Sequence, residues 1–319
     1  MVMAQSLFMT LKDNDPECQI TVLAPAWSFP LLERMPEVSK EIAMPFTHGQ
    51  FALIKRIQLG QNLRTAQYHQ AIVLPNSWKS ALIPFIANVP LRTGYLGEMR
   101  WGLLNDARKL DKQILTMTVQ RFVSLGLPIT SKHPPEYPIP EVKIDQNNQQ
   151  AVCEKFAVKQ SAKIIALCPG AEYGPAKRWP AEHYAALAKH KLAQGWSVCL
   201  FGSEKDKPVA EHINNLTKYG CQDFSGKTTL AEAIDLMSLA DVVVTNDSGL
   251  MHVAAALNKK IIALYGSSDP CFTPPLNAEA KVIDLNLECS PCFKRDCPLG
   301  HTHCLTEISP QQVLSQLEQ

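Results

Sequence analysis

The stretch Asp241–Gly266, DVVVTNDSGLMHVAAALNKKIIALYG, constrains this chain most. Val242–Thr245 and Ile261–Tyr265 are short, unbroken apolar runs, the pattern of strands buried on both faces of a parallel sheet. Between them lie a polar turn, Asn246-Asp247-Ser248-Gly249, and a short apolar helix. In an open parallel sheet, ligands sit where the carboxyl ends of strands meet helix N-termini. A helix start offers free backbone N–H groups and partial positive charge, which suits a phosphate. Here that start carries Asp247, Ser248 and Gly249, with His252 one turn further in. The segment therefore predicts an α/β fold with a phosphate site at this turn.

The rest of the second half repeats the alternation. Ile164–Cys168 reads as a strand, followed by a long loop to Lys177. Pro180 suits the first position of a helix reaching Gln194, with Gly195 beyond its end. Ser197–Phe201 is the next strand, and Thr229 with Glu232 forms a capping box for a helix over Leu230–Leu239. In the first half, Met3, Ala4, Leu7, Phe8 and Leu11 fall at helical spacing, while Gln19–Leu23 and Ala71–Leu74 read as buried strands. Ser131–Gln150, rich in proline and amides, reads as the linker between two α/β domains. A doubly wound domain normally opens with its central strand, whereas this chain opens with a helix. Either the first domain lacks that strand, or this sequence begins after it.

A chain of 319 residues is ample for two domains of about 150 residues each. No apolar run approaches the roughly 18 residues of a membrane span, and the N-terminus lacks a basic region and cleavage site of the secretory kind. A cytoplasmic protein is expected. The net charge is only +1, but Lys55, Arg56, Arg64, Lys79, Arg92, Arg100 and Arg108 face only Glu98 and Asp106 in the same interval. This is either a solvated basic face or the seat of an anionic partner such as a phosphorylated glycolipid. No nucleic-acid motif accompanies it, so nucleic acid is not expected.

Four loops follow strands of the second domain. In CPGAEYGPAKRWP (Cys168–Pro180), Lys177 precedes a helix start, where it either neutralises a diphosphate leaving group or is a solvated lysine. In FGSEKD, Ser203 suits a tight turn, and Asp206 either meets ribose hydroxyls or caps a helix. SGKTT places Thr228 where a base could lie, and the fourth loop is the Asn246–Gly249 turn. No Walker A loop, Gly-x-Gly-x-x-Gly fingerprint or Gly-x-Ser-x-Gly elbow is present, which weighs against kinase, dehydrogenase and hydrolase chemistry.

PGAEYGPAKRWP, FGSEKD and TNDSGLMHVAAAL, with LPNSWKSALIPF (Leu74–Phe85) and RTGYLGEMRWGLLND (Arg92–Asp106), closely resemble the family-nine glycosyltransferases, the lipopolysaccharide heptosyltransferases. The resemblance covers nearly the whole chain. It implies a GT-B fold, with two doubly wound Rossmann-like domains facing across a cleft: an acceptor-binding domain over 1–148 and an ADP-heptose-binding domain over 149–319. It implies an inverting transfer of L-glycero-D-manno-heptose from ADP-heptose to the first heptose of the lipopolysaccharide inner core, at the membrane surface. No cofactor is required for that chemistry. By resemblance, Lys177 holds the donor phosphates, Asp206 the ribose region and Thr228 the adenine, with Ser203 also among the donor contacts. Asp247, Ser248, Gly249 and His252 hold the diphosphate and heptose, while Asn76, Ser77, Lys79, Arg92 and Arg100 face the acceptor. The family's general base, an aspartate ahead of the segment that here begins MVMAQSL, is not among these residues. The alternatives are a nucleotide-sugar epimerase of similar architecture and a nucleotide-sugar-binding remnant.

Four of the ten cysteines lie in CSPCFKRDCPLGHTHC: Cys289, Cys292, Cys297 and Cys304. In a reducing compartment such spacing favours metal over disulfides. The four thiols are expected either to close a structural metal site or to remain free and packed.

Overall fold

The computed structural model describes residues 1–47, 49–158 and 162–318. The apolar stripe of the first segment forms helix α1 (Val2–Asn14), which buries Met3, Ala4, Leu7 and Phe8. It belongs to a unit comprising Met3–Pro138 together with Met1. Its strands are β1 (Ile20–Ala24), β2 (Val38–Ala43), β3 (Gln70–Val73), β4 (Leu91–Tyr95) and β5 (Asp106–Arg108). They alternate with α2 (Phe29–Leu32), α3 (Leu53–Leu63) and α4 (Trp78–Ile86), and α5 (Thr118–Gly126) follows. All pairings are parallel, but the strands form two separate sheets among the described residues, β1-β2 and β3-β4-β5. Among the described residues, β1 and β3 each pair with a strand on one edge only.

The second unit, Ile139–Gln319 with Val2, begins before the boundary expected after residue 148. The reason is local. Asp145 caps α6 (Gln146–Phe156) through Asn147 N and Asn148 N, and its own N–H donates to buried Asp235 at 3.1 Å. Val142 N also donates to Ala256 O. The end of the expected linker is thus part of the fold.

This unit's strands are β6 (Ile164–Cys168), β7 (Ser197–Leu200), β8 (Gln222–Asp223), β9 (Val242–Asn246), β10 (Lys260–Leu264) and β11 (Ala280–Ile283). They form one parallel sheet in the order β11-β10-β9-β6-β7-β8. Every residue of β6 and β9 is buried, as their unbroken apolar runs require at the middle of a sheet covered on both faces. The helices are α7 (Ala181–Ala193), α8 (Lys207–Leu216), α9 (Leu230–Met237), α10 (Gly249–Ala256), α11 (His303–Thr306) and α12 (Pro310–Leu317). Pro180 is the N-cap of α7 rather than its first residue. The capping box at α9 forms: Thr229 Oγ1 accepts from Glu232 N, and Glu232 accepts from Thr229 N. The order changes direction at β6: β7 and β8 run outward on one side of it, and the chain then crosses back to place β9, β10 and β11 on the other. Such a switch point opens a crevice at the carboxyl edge.

Candidate functional site

The carboxyl ends of β6 and β9 meet through one side chain. Asn246, fully buried as the last residue of β9, donates from its amide to Pro169 O at 2.8 Å. Its Oδ1 accepts from Trp179 N at 3.0 Å and from the Tyr184 hydroxyl at 3.1 Å. These bonds fasten both ends of the loop after β6 onto β9. Between them, residues Pro175–Lys177 form a single 3-10 turn that brings Lys177 Nζ onto the Asp247 carboxylate. The two side chains are 17% and 6% exposed, so Lys177 is not a solvated lysine. Its ammonium also lies 5.2 Å from the centre of the Tyr173 ring.

Asp247 and Ser248 lead directly into α10. Ser248 makes no side-chain cap bond, its hydroxyl lying 3.3 Å from Thr245 Oγ1. The first-turn N–H groups of a helix have no intrahelical acceptor, and a side chain built at Gly249 would meet open space. A cation, a carboxylate that orients it and a helix N-terminus therefore converge, an arrangement able to hold a diphosphate and accept charge developing on it. His252 stands one turn further in. Burial pushes its pKa down to about 4, against the opposing pull of Asp247, so the imidazole is neutral near pH 7.

Asp206 takes its capping role. It is buried and accepts from Ser203 N at 2.9 Å and Ser203 Oγ at 2.8 Å, while Arg178 lies 3.9 Å from its other oxygen. Gly170 and Gly202 are required there, because a Cβ at either would collide with the Asp206 side chain. Ser203 is exposed at the mouth of this turn. Thr228 is half-buried, with its hydroxyl 3.4 Å from Phe224 O.

Three hydroxyls not singled out from the sequence lie on the same edge. Ser225, Ser267 and Ser268 are buried, and their oxygens meet no hydrogen-bond partner. An unpaired buried hydroxyl is costly, and groups of this kind are found where a ligand completes the bonding. The sequence carried a sign of the latter two, a Gly-Ser-Ser-Asp turn directly after the β10 run.

The basic interval of the first unit behaves otherwise than expected. Arg100 is fully buried and donates to Tyr95 O and to Pro75 O at 2.6 Å, with Asn76 Oδ1 at 3.5 Å. Arg92 donates to Leu103 O at 2.7 Å and Val89 O at 2.6 Å. Arg56 is buried over the Phe46 ring and bonds three carbonyls, Arg64 bonds Ile86 O, and Arg108 pairs with Asp106. Guanidinium forks satisfy carbonyls that the turns leave over. Arg100 thus supports backbone turns from a fully buried position, while half-buried Arg92 does so from the start of β4. Asn76 is exposed at the carboxyl end of β3, with half-buried Ser77 and Lys79 at the start of α4.

All ten cysteines are free. Cys289, Cys292, Cys297 and Cys304 line one small cavity. Burial, with the neighbouring Cys289, Cys292 and Cys297, pushes the Cys304 thiol up to about 11. Backbone N–H groups of Thr302, Leu299, His301 and Gly300 lower the Cys297 pKa. As the side chains stand, no three His, Cys, Asp or Glu among the described residues are arranged to hold a metal ion.

Residues 56–303 match the model of glycosyltransferase family 9 (heptosyltransferase). Lipopolysaccharide heptosyltransferase 2 of Salmonella typhimurium is 46% identical over 326 aligned residues, covering 99% of this chain and 94% of the relative. Lipooligosaccharide heptosyltransferase 2 of Haemophilus influenzae is 46% identical, covering 100% and 95%. The solved structure of E. coli ADP-heptose lipopolysaccharide heptosyltransferase II superimposes with a TM-score of 0.89 at 42% identity, covering 100% of this chain and 94% of that one. With parallel α/β units of the GT-B kind and a family match over most of its length, the chain belongs to glycosyltransferase family 9, the heptosyltransferases.

Proposed function

We propose that this enzyme transfers L-glycero-D-manno-heptose from ADP-heptose to the first heptose of the lipopolysaccharide inner core, with inversion at the anomeric carbon. The observation that carries the reading is the Lys177–Asp247 pair at the start of α10, in a chain aligned along nearly its whole length with heptosyltransferases 2. The acceptor hydroxyl attacks the anomeric carbon as the bond to the ADP oxygen breaks, its proton passing to water and ADP leaving as the diphosphate anion. Negative charge grows on the departing diphosphate, and the Lys177 ammonium and the N–H groups at Ser248 and Gly249 stabilise it without reorganising. Asp247 positions Lys177, and neutral His252 offers the donor heptose or phosphate a hydrogen bond rather than a charge. Ser203 and Asp206 frame the ribose side, and Thr228 the adenine side.

Asn76, Ser77 and Lys79 are the acceptor contacts in this reading. The acceptor lies at the cytoplasmic membrane surface, and no helix among the described residues is long and apolar enough to cross a membrane. Incubating the chain with ADP-heptose and an acceptor ending in the first heptose should release ADP only when acceptor is present, with one heptose added by mass. Epimerised free sugar nucleotide would sink the transferase reading. Donor binding with no transfer would favour a binding protein instead.

A further inference from the structure

The cysteine segment is joined to the loop that carries Lys177. Ala176 N donates to Arg295 O at 3.0 Å, and the Arg295 side chain donates back to Tyr173 O at 2.6 Å. The Tyr173 hydroxyl donates to Phe293 O at 2.8 Å. Gly174 packs so closely on Arg295 that a Cβ there would strike the Arg295 carbonyl. Phe293 N donates in turn to Ser267 O at 2.7 Å. Residues 173–177 therefore take their shape from residues 293–295, which lie between Cys292 and Cys297.

Residues 293–295 need something to hold them. Phe293 and Thr302 adopt left-handed backbone angles, φ of 54° and 51°. Bulky and β-branched residues reach that region only when the surroundings over-determine it. Little apolar burial supports this stretch: Phe293 and Leu299 are 50% and 60% exposed. The four cysteines, at the spacing C-x2-C-x4-C-x6-C, instead surround one cavity that Ala176 and Ser267 also line. Its free space of about 20 Å3 suits one ion or one water, and no organic ligand.

We propose that Cys289, Cys292, Cys297 and Cys304 bind a single divalent transition ion, zinc or iron, and that the loaded knot fixes the loop bearing Lys177. Thiolates select such ions over magnesium or calcium, and four protein ligands leave no open coordination position, so the ion is structural. Each thiol gives up its proton to solvent on binding, and no electron is transferred. All four cysteines already line the same cavity, and a cysteine sulfur moves between staggered wells by rotation about a single torsion. Lys294 and Arg295, between the second and third ligands, offset the negative charge of a four-thiolate centre. The role assigned to the knot rests on the donor-site reading of Lys177; metal binding itself does not.

The test uses the full chain purified without chelator or added metal. Mass spectrometry of metals should find one zinc or iron per chain, and cobalt exchanged into it should show thiolate-to-cobalt charge-transfer bands. Cys292→Ser and Cys297→Ser should lose the stoichiometric metal, whereas Cys271→Ser, an exposed cysteine outside the cluster, should keep it. On stripping the metal, amide exchange over 173–178 should accelerate by about tenfold or more, as expected when a local unit opens. A chain that folds with sub-stoichiometric metal and takes up cobalt without charge-transfer bands would overturn the proposal, and the wild-type measurement needs no variant to fold. Unchanged exchange over 173–178 on stripping would overturn the link to Lys177. Exchange is read on the loop itself, so these outcomes stand whether or not ADP binds; loaded protein unable to bind ADP would count against the donor reading alone.

Discussion

Lys177 shows how far one residue's chemistry depends on its partner. Lys177→Ala should lower kcat by about 100- to 1,000-fold, the usual cost of losing one preorganised group that stabilises developing negative charge. It should also lower stability, because the mostly buried Asp247 carboxylate is left alone. Adding Asp247→Asn should restore the denaturation midpoint and leave kcat low, which separates catalysis from folding. His252 makes a second residue-scale prediction. Its folded pKa of about 4 lies below the unfolded value of about 6.5, so the unfolded chain takes up the proton first as pH falls. The contribution of His252 to stability is complete above about pH 6.5 and is lost progressively down to about pH 4. Denaturation midpoints across that window should show a slope that His252→Asn diminishes; an unchanged slope would refute the assignment. Arg100→Ala should cost about 3 kcal/mol by leaving buried carbonyls unpaired, without altering ADP affinity.

Among elements, the loop after β6 matters most, because its shape is imposed from outside. Residues 169–179 have no ladder of their own and are held by Asn246 at the end of β9. Asn246→Ala removes both tethers while leaving Lys177 and Asp247 in the chain. ADP affinity, measured by calorimetry, should fall about tenfold, the equivalent of about 1.4 kcal/mol. Affinity equal to that of the wild type would show that Asn246 does not position the loop. The same element marks the limit of what was legible. The β9-turn-α10 motif could be read directly, because two unbroken apolar runs around a polar turn fix strand, turn and helix by local periodicity. Asp206 could not be decided, since ribose contact and capping use the same residue at the same place. The approach of Gly170, Gly202 and Ser203 around its carboxylate shows the cap and does not bear on the ribose contact proposed above.

At the scale of the whole molecule, the chain divides into two units, and the proposed donor residues all belong to Ile139–Gln319. Two-state unfolding is not expected of such a chain. ADP at about 100 times its Kd should stabilise the unit that binds it by about 2.7 kcal/mol. Scanning calorimetry should therefore show one transition moving upward with ADP while the other stays in place. A single transition moving as a whole would mean that the units unfold together.

The sequence alone determined the α/β class, the parallel sheet of the second unit and the position of the turn between β9 and α10. Apolar periodicity, caps and breakers act over a few residues and need no distant partner to be read. Tertiary structure decided everything that depends on which group a side chain meets. It showed the arginines of the first unit supporting backbone carbonyls, some of them nearby in sequence and others, such as Pro75 O for Arg100 and Ile86 O for Arg64, brought close only by folding. It brought Lys177 onto Asp247, exposed the unpaired hydroxyls of Ser225, Ser267 and Ser268, and joined the cysteine segment to the loop of Lys177. Charge and hydrogen-bonding capacity are written in the chain, but their use is settled only when folding selects the partner.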